Sequence, residues 1–509
     1  MLASIRMQYL LALIALIGLA FANAGETENV LSRLAASGKL SDLRWPDFSN
    51  YTTRVQSFYE ATGYSPVWSR GGAVTDQARA VIEVLREADR DGLKSEDYDG
   101  PRWPDRLAQL GGPVVAQFDL ALTISVMRYI SDVHFGKVNP GLFHSGPEED
   151  LPGSVCRQLV DASDVRAVLS AIEPPYEGYR RTKQALRRYL ALAQESNQSG
   201  QLADLLQRLG DLPEDGSLVD AVKHFQARHG LDPDGRIGKA TLAQLNTPLS
   251  VRVRQLQLAL ERWRWIPHHF PQPPVIVNIP EFQLRALDAS FATELEMKVV
   301  VGKAYGHQTP VFSAEMKSVI FQPYWNVPRS IQLAELVPRL DRDRAYLARN
   351  GYEVVTPAGK VVTGGVIDDR TLVELRSARL RIRQTPGVGN SLGLVAFMFP
   401  NEHDVYLHGT PATELFARSR RDFSHGCIRV EQPEQLAAWV LRDQAGWTLQ
   451  RIREALAGPQ TIQVALDKPI PVLIVYVTAA VLANGQVHFF DDIYSQNTQL
   501  EKQLSRAYH

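Results

Sequence analysis

The hydrophobic period of this chain changes once, and that change dictates its architecture. From about Leu31 to Leu192, apolar residues recur at helical spacing, as in Ala78, Val81, Ile82 and Leu85 or Leu186, Tyr189 and Leu190. Beyond Pro271–Pro274 the spacing falls to two, in short runs such as PVIVNIP, LEMKVVVG, SVIFQPYWNV and DVYLHGT. One pattern cannot serve both a helix and a strand, because side chains repeat every 3.6 residues in the first and every two in the second. The reading is a multidomain α+β protein, with a helical N-terminal scaffold over 25–195 and a mostly β domain over 271–466. A chain of 509 residues can bury several separate cores.

Three segments interrupt this plan. Between Arg329 and Arg383 the alternation lapses into helix-like and loop-like sequence with 11 basic and 7 acidic residues, expected to be an inserted lid subdomain over a groove. Beyond Pro469, two apolar runs joined at Asn484-Gly485 read as strands, so 467–509 is expected to be a β-hairpin extension packed on the β domain. The polar stretch Gln194–Gly200 reads as a linker, and a compact unit follows over 201–250. There Leu218, Ala221, Val222 and Phe225 share a helical face, Gly230 ends the helix, and Asp234-Gly235 turns the chain. Thr241, Leu242 and Leu245 open a second short helix expected to cover the first.

The N-terminus carries Arg6, the apolar run Tyr9–Ala22, and Ala22-Asn23-Ala24 before Gly25. That is the charge, core and small-residue order of an export signal, so 1–24 is expected to be cleaved and the protein to work in the periplasm. An uncleaved signal would leave it on the inner membrane. With 55 Lys and Arg against 56 Asp and Glu there is no net field to attract nucleic acid. Two cysteines, Cys156 and Cys427, are too few for a disulfide framework, and both are expected to be free. A monomer is expected.

The chemistry concentrates in Tyr406–Leu436. Alternation along DVYLH puts Val405 and Leu407 on one face and Tyr406 and His408 on the other, after which Gly409 and Thr410 turn the chain. Cys427 follows Ser424-His425-Gly426 and precedes a helix whose first turn suits Pro433, so the thiol is expected between a strand and a helix start. A thiolate is the attacking species, and a nearby imidazole or helix N-terminus lowers the thiol pKa towards neutrality. Two histidines and Arg429 are at hand. Gly426 permits a close backbone approach, which would let the amides around Gly426 and Cys427 face a developing oxyanion. Two other readings stay open: a buried structural thiol, and a zinc site drawn from His403, His408, His425 and Cys427. Against zinc, no pair of these has H-x-x-x-H spacing.

At His408-Gly409-Thr410 and Ser424–Arg429 the sequence resembles the L,D-transpeptidase family with a YkuD-type catalytic domain, whose motif is H-G-T…S-H-G-C-[IV]-R. Ala221 to Gly238 resembles the three-helix peptidoglycan-binding module. Together with the helical N-terminal region and the insertion before Gly387–Gly393, these features look like the large periplasmic YcbB-type branch. The resemblance implies crosslinking of peptidoglycan stems through a thioester. Cys427 would be the nucleophile and His408 the general base, with the Gly409 carbonyl orienting the imidazole. The branch often has Ser-Ser-Gly-Cys where this chain has His425, so the two histidines could exchange roles. His425, Gly426 and Arg429 are assigned to the oxyanion and substrate side. Tyr406, Thr410, Ser424, Asn390 and Trp325 are candidates for contacting substrate. Arg418, Arg420 and Arg421 could meet carboxylates of a diaminopimelate-containing stem. No metal or other cofactor is implied. The implied partners are stem peptides, glycan strands and other cell-wall enzymes, and a carbapenem is expected to acylate Cys427 slowly. Water resolving the same thioester would instead give a carboxypeptidase or endopeptidase. A non-catalytic wall-binding scaffold is the third alternative.

Overall fold

The computed structural model describes residues 25–111, 114–143, 150–195, 202–213 and 215–507; the expected export signal and residues 196–200 of the expected linker lie outside them. The helical region is built around Val114–Phe135, which is apolar on every side and therefore buried on every side. Among the described residues it alone is long and apolar enough to cross a bilayer, and 78% of its apolar window is buried inside the protein. Helices Asp76–Arg86 and Leu151–Val160 pack against it. One polar network threads this core: Asp119 accepts from the Tyr59 hydroxyl and the Trp68 amide, both at 2.8 Å. Burial raises its pKa to about 6. The expectation of an all-helical region misses a short hairpin, β1 (Ser69–Arg70) with β2 (Ala73–Val74).

In the compact unit, Ala221, Val222 and Phe225 are buried as expected, but Leu218 is 45% exposed and Leu242 is 50% exposed. The second helix covers the first through Thr241 and Leu245, and further cover comes from Leu206 on the preceding helix Leu202–Leu209, which the sequence pattern does not mark. Gln226, fully buried, ties the turn together by donating to Asp234, the Arg236 carbonyl and Thr241. Helix Leu249–Arg264 then runs back along Glu177–Glu195, joining this unit to the scaffold.

The β domain contains β3 (Val275–Asn278), β4 (Gln283–Leu287), β5 (Thr293–Gly302) and β6 (Phe312–Phe321). After the lid come β11 (Val395–Met398), β12 (Leu407–His408), β13 (Asp422–Ser424), β14 (Ile428–Val430) and β15 (Ile462–Val475). Their order is β13-β5-β14-β12-β11-β6-β15-β3-β4, and β4 also pairs with β5, so the sheet closes on itself. Val277, Leu284, Val299, Val319, Phe397 and Leu407 fill the interior. Helices Pro433–Val440 and Leu449–Ala457 add Leu436 and Ile452 to it.

The expected extension over 467–509 is corrected at its start. Residues up to Val475 complete β15, which pairs antiparallel with β6 and parallel with β3 in the middle of the sheet. The consecutive apolar residues Val472–Val475 are buried on both faces, as a central strand requires. The hairpin itself is present, as β16 (Ala479–Val481) and β17 (Val487–Phe489). It packs on the helical region, with Val481 and Phe489 in one core with Tyr189, Leu186 and Leu256.

The lid has its own four-stranded sheet: β7 (Trp325–Asn326), β10 (Arg381–Gln384), β8 (Tyr352–Val355) and β9 (Val361–Thr363), in that spatial order. Helices Val337–Arg342 and Asp369–Arg376 cover it, and Leu340, Val354, Leu375 and Ile382 form a separate core. Residues Gln332–Leu336 form a π-helical turn, a distortion often found beside functional sites.

Candidate active site

Strand pairing assembles the site. β12 and β14 run parallel with Leu407 opposite Ile428 and His408 opposite Arg429. Leu407 and Ile428 enter the core, so His408 and Arg429 share the outer face of the pleat. Cys427 enters β14 from a tight turn in which Gly426 has φ +119, a conformation that disfavours any side chain. Ser424 closes that turn: its hydroxyl donates to the Cys427 carbonyl at 2.5 Å and accepts from the Gly426 amide at 3.1 Å. Thr309 holds the other side, donating to the Gly426 carbonyl at 2.7 Å. The Gly426 amide is thus already engaged, which corrects the expectation that it faces an oxyanion. The Cys427 amide has no backbone acceptor among the described residues and is the donor left for that task.

A second correction concerns the thiol's surroundings. β14 separates Cys427 from helix Pro433–Val440, so the N-terminus of that helix does not act on the sulfur. Burial pushes the thiol pKa up, opposed in part by hydrogen bonds from the Tyr406 amide and hydroxyl and by the charge of Arg429. In the resting site the thiol donates to the Asp404 carbonyl at 3.6 Å. The Tyr406 hydroxyl is also bonded to the Trp325 side chain, linking the lid's first strand to the thiol.

His408 is buried, with Nδ1 2.6 Å from the Gly409 carbonyl. Burial lowers its pKa to about 3; the Gly409 bond acts in the opposite sense, and the positive charge of Arg429 adds to the depression. The imidazole is therefore neutral at neutral pH, with Nδ1 protonated and Nε2 able to accept. Gly393 lets this turn pack tightly: a Cβ on it would come within 2.6 Å of the Thr410 nitrogen.

Cys427, His408, Arg429, Tyr406, Ser424, His425, Gly426 and Trp325 all line one cleft of about 740 Å³. The lid forms its opposite wall through Ile331, Glu335, Arg339 and Tyr352. His425 faces the lid: its Nε2 lies 2.6 Å from Glu335 Oε1, and the His307 ring packs edge-on at 4.8 Å. Among the described residues, no three His, Cys, Asp or Glu side chains gather as a metal site.

Three other candidates fall outside the cleft lining, Gly409, which holds the His408 ring from behind, among them. Asn390 is buried and donates to the carbonyls of Pro323 and Thr385, which makes it the organiser of the Gly387–Gly393 turn. The Thr410 hydroxyl accepts from the Ala412 amide. The arginine cluster lies elsewhere too: Arg420 pairs with Asp422, Arg421 is buried against the carbonyls of Val299 and Phe282, and Arg418 lies over Phe423. Sequence reading missed Glu335, Thr309 and Tyr494. The Tyr494 hydroxyl donates to the Gly302 carbonyl at 2.5 Å and accepts from the Thr309 amide at 3.3 Å, which fixes the residue that grips Gly426. None of the three sits in a recognisable pattern.

Comparison with known proteins agrees with this geometry. Residues 273–464 match the family model of the L,D-transpeptidase catalytic domain (YkuD), residues 196–245 match one described as "Putative peptidoglycan binding domain", and residues 53–186 match a scaffold domain. A curated protein of Haemophilus influenzae named "Putative L,D-transpeptidase" is 33% identical over 248 residues, which is 48% of this chain and 49% of that protein. The chain thus spans about half the length of that relative. It carries a YkuD-type L,D-transpeptidase catalytic domain together with a peptidoglycan-binding domain.

Proposed function

We propose that the protein is a cysteine-dependent L,D-transpeptidase that crosslinks peptidoglycan stem peptides beyond the cytoplasmic membrane, joining two third-position residues. One observation carries this reading: a half-buried thiol in the turn that enters β14 and a neutral imidazole on β12, the parallel neighbour of β14, open into a single lidded cleft. A raised thiol pKa beside a depressed imidazole pKa favours the neutral pair at rest, so the proton moves as the bond forms. His408 takes the Cys427 proton while sulfur attacks the carbonyl of the donor's third residue, and the Cys427 amide steadies the oxyanion. Collapse breaks the C–N bond, and His408 returns its proton to the departing D-alanine amine. In the second half, the side-chain amine of an acceptor stem gives its proton to His408 and attacks the thioester. The C–S bond breaks and the thiol is restored. The lid wall limits water at the thioester, which favours transfer over hydrolysis.

Incubating the purified protein with disaccharide-tetrapeptide tests this directly. Crosslinked dimer, free D-alanine and a Cys427 adduct by mass spectrometry are expected. Tripeptide without dimer would replace transfer by hydrolysis, and unaltered substrate with no adduct would end the reading.

A further inference from the structure

Arg429 is half-buried on the cleft face of β14, beside His408 on the adjacent strand. Its guanidinium makes no hydrogen bond or ion pair among the described residues, and its Nε is fully enclosed without a partner. Glu414 acts on it only through space, beyond ion-pair reach. Of the two carboxylates that line the cleft, Glu335 is engaged by His425, and Asp404 makes no ion pair with Arg429. Most other partly buried arginines here are matched, as Arg285 is to Glu281 and Arg383 is to Glu353. A desolvated guanidinium with nothing to bind, at the wall of a substrate cleft, calls for an anion from the ligand.

The position selects which anion. His408 must reach the departing amine nitrogen to reprotonate it. That nitrogen and the α-carboxylate of the same residue are attached to one carbon. Neighbouring strands lie about 4.8 Å apart, so a guanidinium in register with His408 is where that carboxylate arrives. We infer that Arg429 binds the terminal carboxylate of the departing D-alanine and thereby restricts donors to stems that end, as a free acid, at the fourth residue. The inference rests on the transpeptidase reading above and adds the group that sets donor length. A pentapeptide would carry its carboxylate one residue too far.

The test compares disaccharide-tetrapeptide with its C-terminal carboxamide, following thioester formation at Cys427 and release of D-alanine or D-alaninamide by mass spectrometry. The unmodified protein is expected to prefer the free acid by about 30-fold in kcat/KM, the range of one charge-assisted contact. In Arg429→Gln the preference should collapse to within about threefold, and in Arg429→Lys, which keeps the charge without the fork, about tenfold should remain. Equal use of acid and amide by the unmodified protein overturns the inference, and this arm needs no variant to fold. A preference that survives in Arg429→Gln overturns it as well. Failure of both substrates to acylate Cys427 removes the transpeptidase reading itself, an outcome distinct from either.

Discussion

At the scale of single residues, burial raises the Cys427 thiol and depresses the His408 imidazole, so the proton rests on sulfur. Alkylation of Cys427 by iodoacetamide in the resting protein should therefore have a midpoint above the 9.0 of an unperturbed thiol. A pH series read by mass spectrometry measures it, and a midpoint below neutrality would reveal a preformed thiolate instead. Replacing His408 with Gln should leave the fold intact and slow acylation by about 100-fold or more, the usual worth of a positioned base. These residues were the legible part of the site. Cys427 and His408 announce themselves because each stands beside a glycine at a strand end, and Arg429 follows Cys427 by two residues. Asn390 misled for the same reason: its Gly-rich turn looks like a substrate loop, yet its amide is consumed by the carbonyls of Pro323 and Thr385.

At the scale of elements, alternation exposed most strands but not their neighbours. The run Val472–Val475 has no alternation because both its faces are buried, and a short apolar run of that kind reads equally well as part of an appended hairpin. Its place between β6 and β3 is fixed by pairings with residues more than a hundred positions away, which no local pattern encodes. The lid's charged surface hid a complete small core, and Glu335 lay among other acids with nothing to mark it. The turn before Cys427 gives a prediction at this scale. Gly426→Ala places a side chain at φ +119, which costs about 1–3 kcal/mol of strain. The turn relaxes by loosening the Ser424 and Thr309 bonds, so acylation should fall by more than the loss in thermal stability accounts for. Thr309→Val removes one of those bonds without touching φ and should give a smaller defect in the same assay.

Across the whole molecule, buried histidines set the response to acid. His408 is depressed to about 3 and His268 to about 4, with His229 and His488 also lowered, each chiefly by burial. Below the ordinary value of 6.5 the unfolded chain binds protons at these positions and the folded chain does not. Their contribution is present in full above that value and is lost progressively as pH falls towards the folded values. Asp119, raised to about 6, and Glu173, also raised by burial, work in the opposite sense as acid is added, but they are two carboxyls against four imidazoles. Tm measured at fixed ionic strength should therefore fall between pH 7 and pH 4.5, and a rise would contradict this assignment. The placement of β15 gives a second test. A chain ending at residue 466 lacks the half of that strand which pairs with β3, and should be recovered only as insoluble or unfolded protein by circular dichroism.

The position of β15 also has a meaning in time. Domains fold as they are made, N-terminal parts first, and the staves of this cylinder cannot all be in place until Val475 has emerged. Tyr494, which steadies the grip on Gly426, comes later still. A ribosome stalled between Cys427 and Val472 thus holds a chain whose helical units and Cys427 turn are made but whose sheet is unclosed. Alignment of the cleft thus waits on residues made well after Cys427 itself.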